Sequence, residues 1–341
     1  MKLLSFAPQA LVLAGLVSSL GAVSAYGKAG DNGQYFLIEG LYLSKDDGDV
    51  VALTTNDGAG AFDLVTNDAI ELDDGWGARA AAQFEAFGTT WQASAFVATF
   101  SDQDMLVSGL EVPLNTDTTY AKFVGGTDPT AGDPVNSDLL EAISATQDGS
   151  LYGAEFSWVK NLGGWGWRNV DFIAGVRYIH YGEELRGAAF DDPDDLTGAD
   201  NDIDRFGIEI ENDLVGVQIG LQAMWDITPS VAIGGTLKGG VAANFASRDR
   251  SFSADNGNFP AYTNSSDDTD LAEFAEFNPR IDIALSQSAS LTIGGTVLWI
   301  NETSRAVSHF QTVANSADSN LRADDDQLFY GASIGLKLAL N

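Results

Sequence analysis

"GWRNVDFIAGVRYIHYGEEL", residues 166–185, decides the fold. Every second residue from Val170 is apolar: Val170, Phe172, Ala174, Val176 and Tyr178. The set between them reads Asp171, Ile173, Gly175, Arg177 and Ile179. Successive strand side chains point to opposite faces. One face is therefore wholly apolar, and the other carries an acid and an arginine. Such a strand needs an apolar medium on one side and polar surroundings on the other.

Period-two character recurs along the chain. It marks ten segments: 34–44, 75–87, 89–101, 150–160, 169–183, 204–225, 230–246, 272–286, 290–301 and 327–340. In residues 75–87, Trp76, Ala78, Ala80, Ala82 and Phe84 oppose Arg79, Gln83 and Glu85. In 327–340, Leu328, Tyr330, Ala332, Ile334 and Leu336 oppose Gly331, Ser333, Gly335 and Lys337. The sixth segment changes phase. Ile208 and Ile210 are even-numbered, whereas the apolar set from Val215 onward is odd-numbered. A β-bulge near Asn212–Gly216 accounts for this, as does a break into two strands.

The connections alternate between short and long. Short ones fall near Gly88 and at "NLGGWGWR", "DITPS" and "QSAS". Long ones span about 45–74, 102–149, 184–203, 247–271 and 302–326, and they hold most of the 49 acids. Outer-membrane barrels share this layout, with an even strand count, short periplasmic turns and long outer loops. In lipid every backbone N–H and C=O must be bonded internally, and a closed sheet does that without helices. The expected fold is therefore all-β. It is a transmembrane antiparallel up-and-down β-barrel of about ten strands, or the next even number, twelve. Its periplasmic turns are short and its extracellular loops long and acidic. Aromatic residues near segment ends, such as Tyr42, Trp76, Trp91, Trp158, Trp225, Trp299 and Tyr330, suit two interfacial girdles. A soluble β-sandwich shares the alternation but does not explain the loop asymmetry.

Composition narrows the function. The formal net charge of −32 argues against a nucleic-acid partner. Aromatic content of 10% argues against disorder at this acidity. With no cysteine, disulfides, thiol nucleophiles and Cys-based metal sites are excluded. "MKLLSFAPQALVLAGLVSSLGAVSA", residues 1–25, has the layout of a signal peptide, and 26–341 is read as the barrel domain.

The polar faces together define an expected lumen. Its acids are Glu39, Glu85, Glu155, Asp171, Glu209, Glu211, Glu276 and Asp282, and its bases Arg79, Arg177, Lys238, Arg280 and Lys337. Opposite charges either pair across a narrow interior and plug it, or line a water path that prefers cations. About eight strands give an interior that side chains fill, whereas 16–18 leave a channel. Arg79 and Arg177 fit a structural role as well as a conductive one.

Other sites are sparse. "DDPDDLTGADNDID", Asp191–Asp204, offers oxygens for Ca²⁺ but lacks the order of an EF-hand. It is otherwise a solvated acidic loop, and "SDQDM" and "DDTD" read the same way. "VNSDLLEAIS" suggests a short helix capped by Asn136 or Ser137. His180 lies on the apolar parity of its strand near the outer rim, where interface packing is expected, and His309 lies in a polar loop. No GxSxG, HExxH or phosphate-binding glycine loop occurs, and no Ser–His–Asp trio can be chosen except arbitrarily. No enzyme activity and no cofactor are expected.

"VDFIAGVRYIHYGEEL", Val170–Leu185, resembles a strand signature of the Legionella-type major outer membrane and pore-forming proteins and of similar planctomycete barrels. "ENDLVGVQIGLQAMWDIT", Glu211–Thr228, resembles their following strand, with Asn212, Gly216, Gln218 and Gly220 at matching places. "GQYFLIEGLYL" near the start also fits, so the likeness covers about half the chain. It implies a barrel in the outer membrane of a Gram-negative-type bacterium, with lipid as its surroundings. The acidic loops and the non-aromatic final residue depart from that pattern. Two functions follow as expectations. The first is a porin-like, cation-preferring passage for ions or small solutes. The alternative is a non-conducting barrel with a structural or surface-interaction role. Sequence leaves the oligomeric state open.

Overall fold

A computed structural model describes residues 33–46, 53–54, 64–65, 72, 74–113, 139–163, 170–190, 203–254, 262–306, 309, 321 and 323–340. The expected signal peptide and the Asn136–Ser137 cap lie outside these residues. So does all but the last two positions of Asp191–Asp204.

Among the described residues twelve strands run in chain order: β1 (Tyr35–Asp46), β2 (Leu53–Thr54), β3 (Leu64–Val65), β4 (Gly75–Ala86), β5 (Thr89–Pro113), β6 (Leu139–Asn161), β7 (Val170–Phe190), β8 (Ile203–Thr228), β9 (Val231–Ala254), β10 (Tyr262–Ala284), β11 (Ala289–Thr303) and β12 (Asp325–Ala339). β2 and β3 form a two-residue ladder of their own. The other ten close an antiparallel barrel in sequence order, with β1 paired to both β4 and β12. The expected strand count and topology are therefore those observed. The first and last strands begin and end together, Tyr35 opposite Ala339, at the short-turn end.

Three expectations about the connections need correcting. Parts of the expected loops 102–149, 184–203 and 247–271 are strand, because β5 to β10 run on for 21 to 26 residues. "SDQDM" and "DDTD" accordingly lie in β5 and β10, not in loops. No bulge interrupts β8 near Asn212–Gly216, since its register with β7 and β9 is continuous from Asp204 to Asp226.

The phase change in β8 has another cause. Its odd-numbered residues face outward throughout. Val215, Val217, Ile219 and Leu221 are exposed on that face, and above them Asp213, Glu211 and Glu209 replace them. Its even-numbered residues face inward, where Ile208, Ile210 and Leu214 are buried. The exposed outward set changes from apolar to acidic partway along one continuous strand.

The same outward apolar zone continues around the wall through Val176, Leu237, Val241, Ile293, Val297, Ile334 and Leu336, all exposed. In β8 it runs from Val215 to Trp225. Its ten residue-to-residue steps, tilted at about 40°, give a height of roughly 25 Å, the span of a lipid-facing band. Aromatic residues edge this belt. Trp91 stacks on Phe156 at 5.0 Å and Trp158 meets Phe172 edge-on near the short turns. Tyr42 and Trp76 pair at 4.9 Å toward the other end.

The β4–β5 hairpin is the tightest short turn. Phe87 and Gly88 both take positive φ, 55° and 71°, as a two-residue I′-type hairpin requires.

Candidate functional site

The interior is built in layers. Toward the short-turn end, inward positions place the expected charges together. Glu39, Asp171, Arg177, Lys238, Glu276, Asp282 and Lys337 are buried. Arg79 reaches Glu39 at 3.5 Å and Glu276 at 3.7 Å, and Arg177 also pairs with Glu276. Lys238 meets Glu155 at 2.5 Å. Asp282 lies 3.3 Å from Lys337 and 3.9 Å from Arg280, and Asn161 donates to Asp171 at 2.8 Å. Neutral groups complete these shells. Gln218 donates to Glu155 at 2.7 Å, Asn278 to Glu276 at 2.7 Å and Thr292 to Asp282 at 2.9 Å.

Three of the expected acids are not in this layer. Glu85 keeps the inward parity of β4 but is exposed beside the Phe87 turn. Glu209 and Glu211 point outward above the apolar belt, contrary to the reading of them as lumen groups. Removing these from eight leaves five acids against the five bases. The layer is charge-balanced, so it supplies no intrinsic cation preference. It borders a cavity of about 60 Å³ between Glu39, Arg79, Glu155, Arg177, Lys238 and Glu276, room for a few water molecules.

Above the charges lies an apolar layer. Leu41, Leu43, Phe100, Leu151, Ile179, Leu214, Phe274, Leu298, Ile300 and Phe329 are all buried in one cluster. Phe329 packs 5.8 Å from Phe100 and 5.2 Å from Tyr181, and the Arg177 guanidinium lies 5.2 Å over Phe274.

A chain segment crosses above that layer. The β11 register shifts between Ile300 and Thr303, and Glu302 takes a φ of 49°. The chain then turns inward, and Ser304, Arg305 and Ala306 are buried. Asn212 grips this segment twice. Its Nδ2 donates to the Ser304 carbonyl at 3.0 Å, and its Oδ1 accepts from the Ser304 N–H at 2.8 Å. Asn244 Nδ2 donates to the Glu302 carbonyl at 2.8 Å. The Ala306 N–H donates to Glu183 at 2.7 Å, and Lys45 pairs with the same carboxylate at 2.7 Å. Burial alone would raise the Glu183 carboxyl. The Lys45 and Arg305 charges, with hydrogen bonds from Lys45 and Tyr181, hold it down to about 2. His309, read from sequence as a residue of a polar loop, is buried beside Arg248 at 3.3 Å.

This inward segment is the feature that sequence reasoning missed. Its one legible signal was Asn212 and Asn244 on inward parity, among apolar neighbours. An amide there needs a polar partner.

The outer wall carries a second cluster at the top of the belt. His180 Nδ1 lies 2.9 Å from Asp213 Oδ1, and the Tyr178 hydroxyl donates to the same oxygen at 2.5 Å. The Tyr152 ring stacks on His180 at 4.3 Å. His180 thus lies at the middle of β7, at the top of the apolar belt and not at the outer rim expected of it, and in polar as well as packing contact. Above it, Glu209 stands opposite Glu184 on one side and Asp249 on the other. Burial and the Glu184, Glu211 and Asp249 charges push its carboxyl up. Among the described residues no group of three or more His, Asp or Glu is placed to hold a metal ion.

No protein-family profile and no curated protein matches the chain. Distant likeness to solved structures is found. The outer membrane protease OmpT of Escherichia coli is 12% identical, with a TM-score of 0.45 over 94% of this chain and 99% of that one. The translocator domain of the autotransporter NalP of Neisseria meningitidis is 10% identical, with a TM-score of 0.38 over 98% and 95%. A major outer membrane protein of Thermus thermophilus is 13% identical, with a TM-score of 0.32 over 90% and 99%. The barrel topology of this chain rests on its own strand ladders.

Proposed function

We propose that this chain is an outer-membrane β-barrel whose resting lumen is closed, and that it acts through its outward surface. The belt sits in lipid, the short turns face the periplasm and the long acidic connections face outward. One observation carries this reading. Glu302–Ala306 is held across the barrel by Asn244 at Glu302, Asn212 at Ser304 and Glu183 at Ala306, above a continuous apolar layer. Ions crossing here would have to displace a hydrogen-bonded segment and then enter a dehydrated hydrocarbon layer.

A passage for ions or small solutes is the second reading. The polar cavity below the apolar layer favours it, as does the resemblance to pore-forming outer-membrane proteins. Such a passage would need the inward segment to leave. Its cation preference would come from the acidic outer connections, which concentrate cations near the mouth. Planar-bilayer recording separates the two. Folded protein is expected to give no steady conductance at neutral pH. A steady current preferring K⁺ to Cl⁻ would replace the closed barrel with the passage.

A further inference from the structure

We propose that the outer half of β10 is a strand-addition site, which captures an extended, lysine- or arginine-bearing peptide segment from outside the cell. The proposal names a partner class for the outward surface. It rests on the closed-barrel reading only in placing that end of the wall outside the membrane.

Ladder register exposes the edge. β10 pairs with β9 without interruption from Tyr262, opposite Phe252, to Ile283. Its pairing with β11 reaches outward only to Phe274, opposite Ile300. Beyond that point β11 shifts register and the chain turns inward, so among the described residues no strand covers the far edge of Tyr262–Ala272. That stretch is about 36 Å long at about 3.3 Å per residue. The Glu273 N–H points across to the Asn301 side chain, which sets the alternation. The N–H and C=O groups of Thr263, Ser265, Asp267, Thr269 and Leu271 therefore face the uncovered side. All of these residues are exposed. The Thr269 N–H donates to the Asp268 carboxylate of its own strand, at 2.8 Å, in place of a neighbouring strand. β5 also outruns its neighbour β4, whose ladder ends at Gly75 opposite Phe100. Its pairing with β6 shifts at Phe100–Gln103 and again at Ser108–Val112, and such irregularities blunt an edge. The β10 edge is regular throughout.

Charge selects the occupant. "NSSDDTDLAE", residues 264–273, holds four acids and no base. Asp268 and Asp270 share the inward parity of β10, and Asp267 and Glu273 share the outward parity with the exposed Leu271. Partial burial, with the Asp268 and Asp324 charges, pushes the Asp270 carboxyl up, so like charges crowd this edge. Ser265 stands opposite Asp249, above the apolar belt, so the site is reached from water. A second copy of β10 would set acid against acid, and like charges directly opposite destabilise a strand pair. A guest strand with cations opposite Asp268 and Asp270 relieves that repulsion instead. The charges that ward off neutral and acidic strands thus admit a basic one.

The guest lies antiparallel to β10, in the column that β11 leaves when it turns inward. Its residues opposite Asp267, Thr269 and Leu271 exchange N–H···O=C bonds with β10, which give affinity without reading sequence. Its residues opposite Asp268 and Asp270 supply the ammonium or guanidinium groups, and the one opposite Leu271 is apolar. On binding, Asp268 gives up the Thr269 N–H to a guest carbonyl and turns its carboxylate to a guest cation.

An alternating lysine–valine peptide of about ten residues tests this against the full chain in detergent micelles. Saturable binding by fluorescence anisotropy is expected, weakening as salt rises. A carbon-13 carbonyl in the bound peptide should absorb in the infrared as an antiparallel strand. The same peptide N-methylated at every residue keeps its charge and loses its main-chain donors, and it should bind at least about tenfold more weakly. Thr269→Pro removes an N–H that faces the open side and leaves the β9 ladder intact, so it should also weaken binding about tenfold or more. Asp268→Asn combined with Asp270→Asn should weaken binding and flatten its salt dependence. Heat-modifiable electrophoretic mobility confirms that each variant is folded. Folded wild-type protein that binds no lysine–valine peptide overturns the proposal. So does equal binding of the two peptides, or wild-type affinity in Thr269→Pro, because charge alone would then account for the contact. Bilayer recording reads closure separately. A non-conducting barrel that takes no peptide overturns the strand site alone, whereas a conducting one that takes it supports the strand site and overturns closure.

Discussion

Replacing Arg177 with methionine separates a structural lumen from a conducting one. The Arg177 side chain is 4% exposed and its partner Glu276 is 7% exposed. The substitution keeps the apolar stem over Phe274 and removes the charge. Glu276 then retains the Asn278 amide at 2.7 Å and the Arg79 guanidinium at 3.7 Å. Breaking a buried ion pair costs about 3–5 kcal/mol, and those two remaining contacts favour the lower end, about 3 kcal/mol. That raises the unfolded-to-folded ratio about 150-fold. Urea unfolding of protein in detergent micelles should show it as a midpoint lowered by about 1 M with an unchanged slope. Arg177→Met combined with Glu276→Gln should recover most of the loss, because no uncompensated charge stays behind. Neither variant should conduct. The reasoning fails if the single variant loses less than about 1 kcal/mol, the cost of an ordinary exposed pair. It also fails if the variant carries a steady current with altered ion preference.

Three further outcomes are expected. Asn212→Ala removes both bonds to Ser304, at about 1 kcal/mol or more each. It should raise the frequency of brief openings in bilayer recordings at least tenfold while the barrel remains folded by circular dichroism. Glu183 has a folded value of about 2, below the ordinary 4.5. Its stabilisation is complete above pH 4.5 and lost as pH falls from 4.5 toward 2. The urea midpoint should drop across that window, and Glu183→Gln should flatten the drop. Glu209→Gln relieves like charges placed directly opposite on both neighbouring strands. It should stabilise the protein by a few tenths of a kcal/mol at pH 7. The gain should shrink in 1 M salt and at pH values low enough to protonate the wild-type carboxyl.

The barrel wall was legible because its signal is local. Alternation over Val170–Tyr178, or over Leu328–Leu338, needs no knowledge of partners, and alternating turn lengths order the strands. The inner charges followed from the same parity, with Arg79, Arg177, Glu276 and Lys337 all placed inside. Glu209 and Glu211 were misassigned for a physical reason. Parity says which residues share a face, but the medium touching that face changes along β8, so an inward apolar set above the belt looks like a lipid-facing one. The inward turn after β11 left little trace, since it depends on Asn212 and Asn244 meeting a segment some 60 to 90 positions away.

The seam between β1 and β12 gives synthesis a direction. Its twelve paired positions join residues about 300 apart in the chain. Inside that seam Gly331 and Gly335 pass so close to the Tyr42 and Ile38 carbonyls that no larger residue fits without displacing the backbone. Until the fifteen residues of β12 have docked against β1, the sheet ends in two raw edges, each able to capture a stranger's strand. A copy that lacks β12 is therefore a template for aggregation.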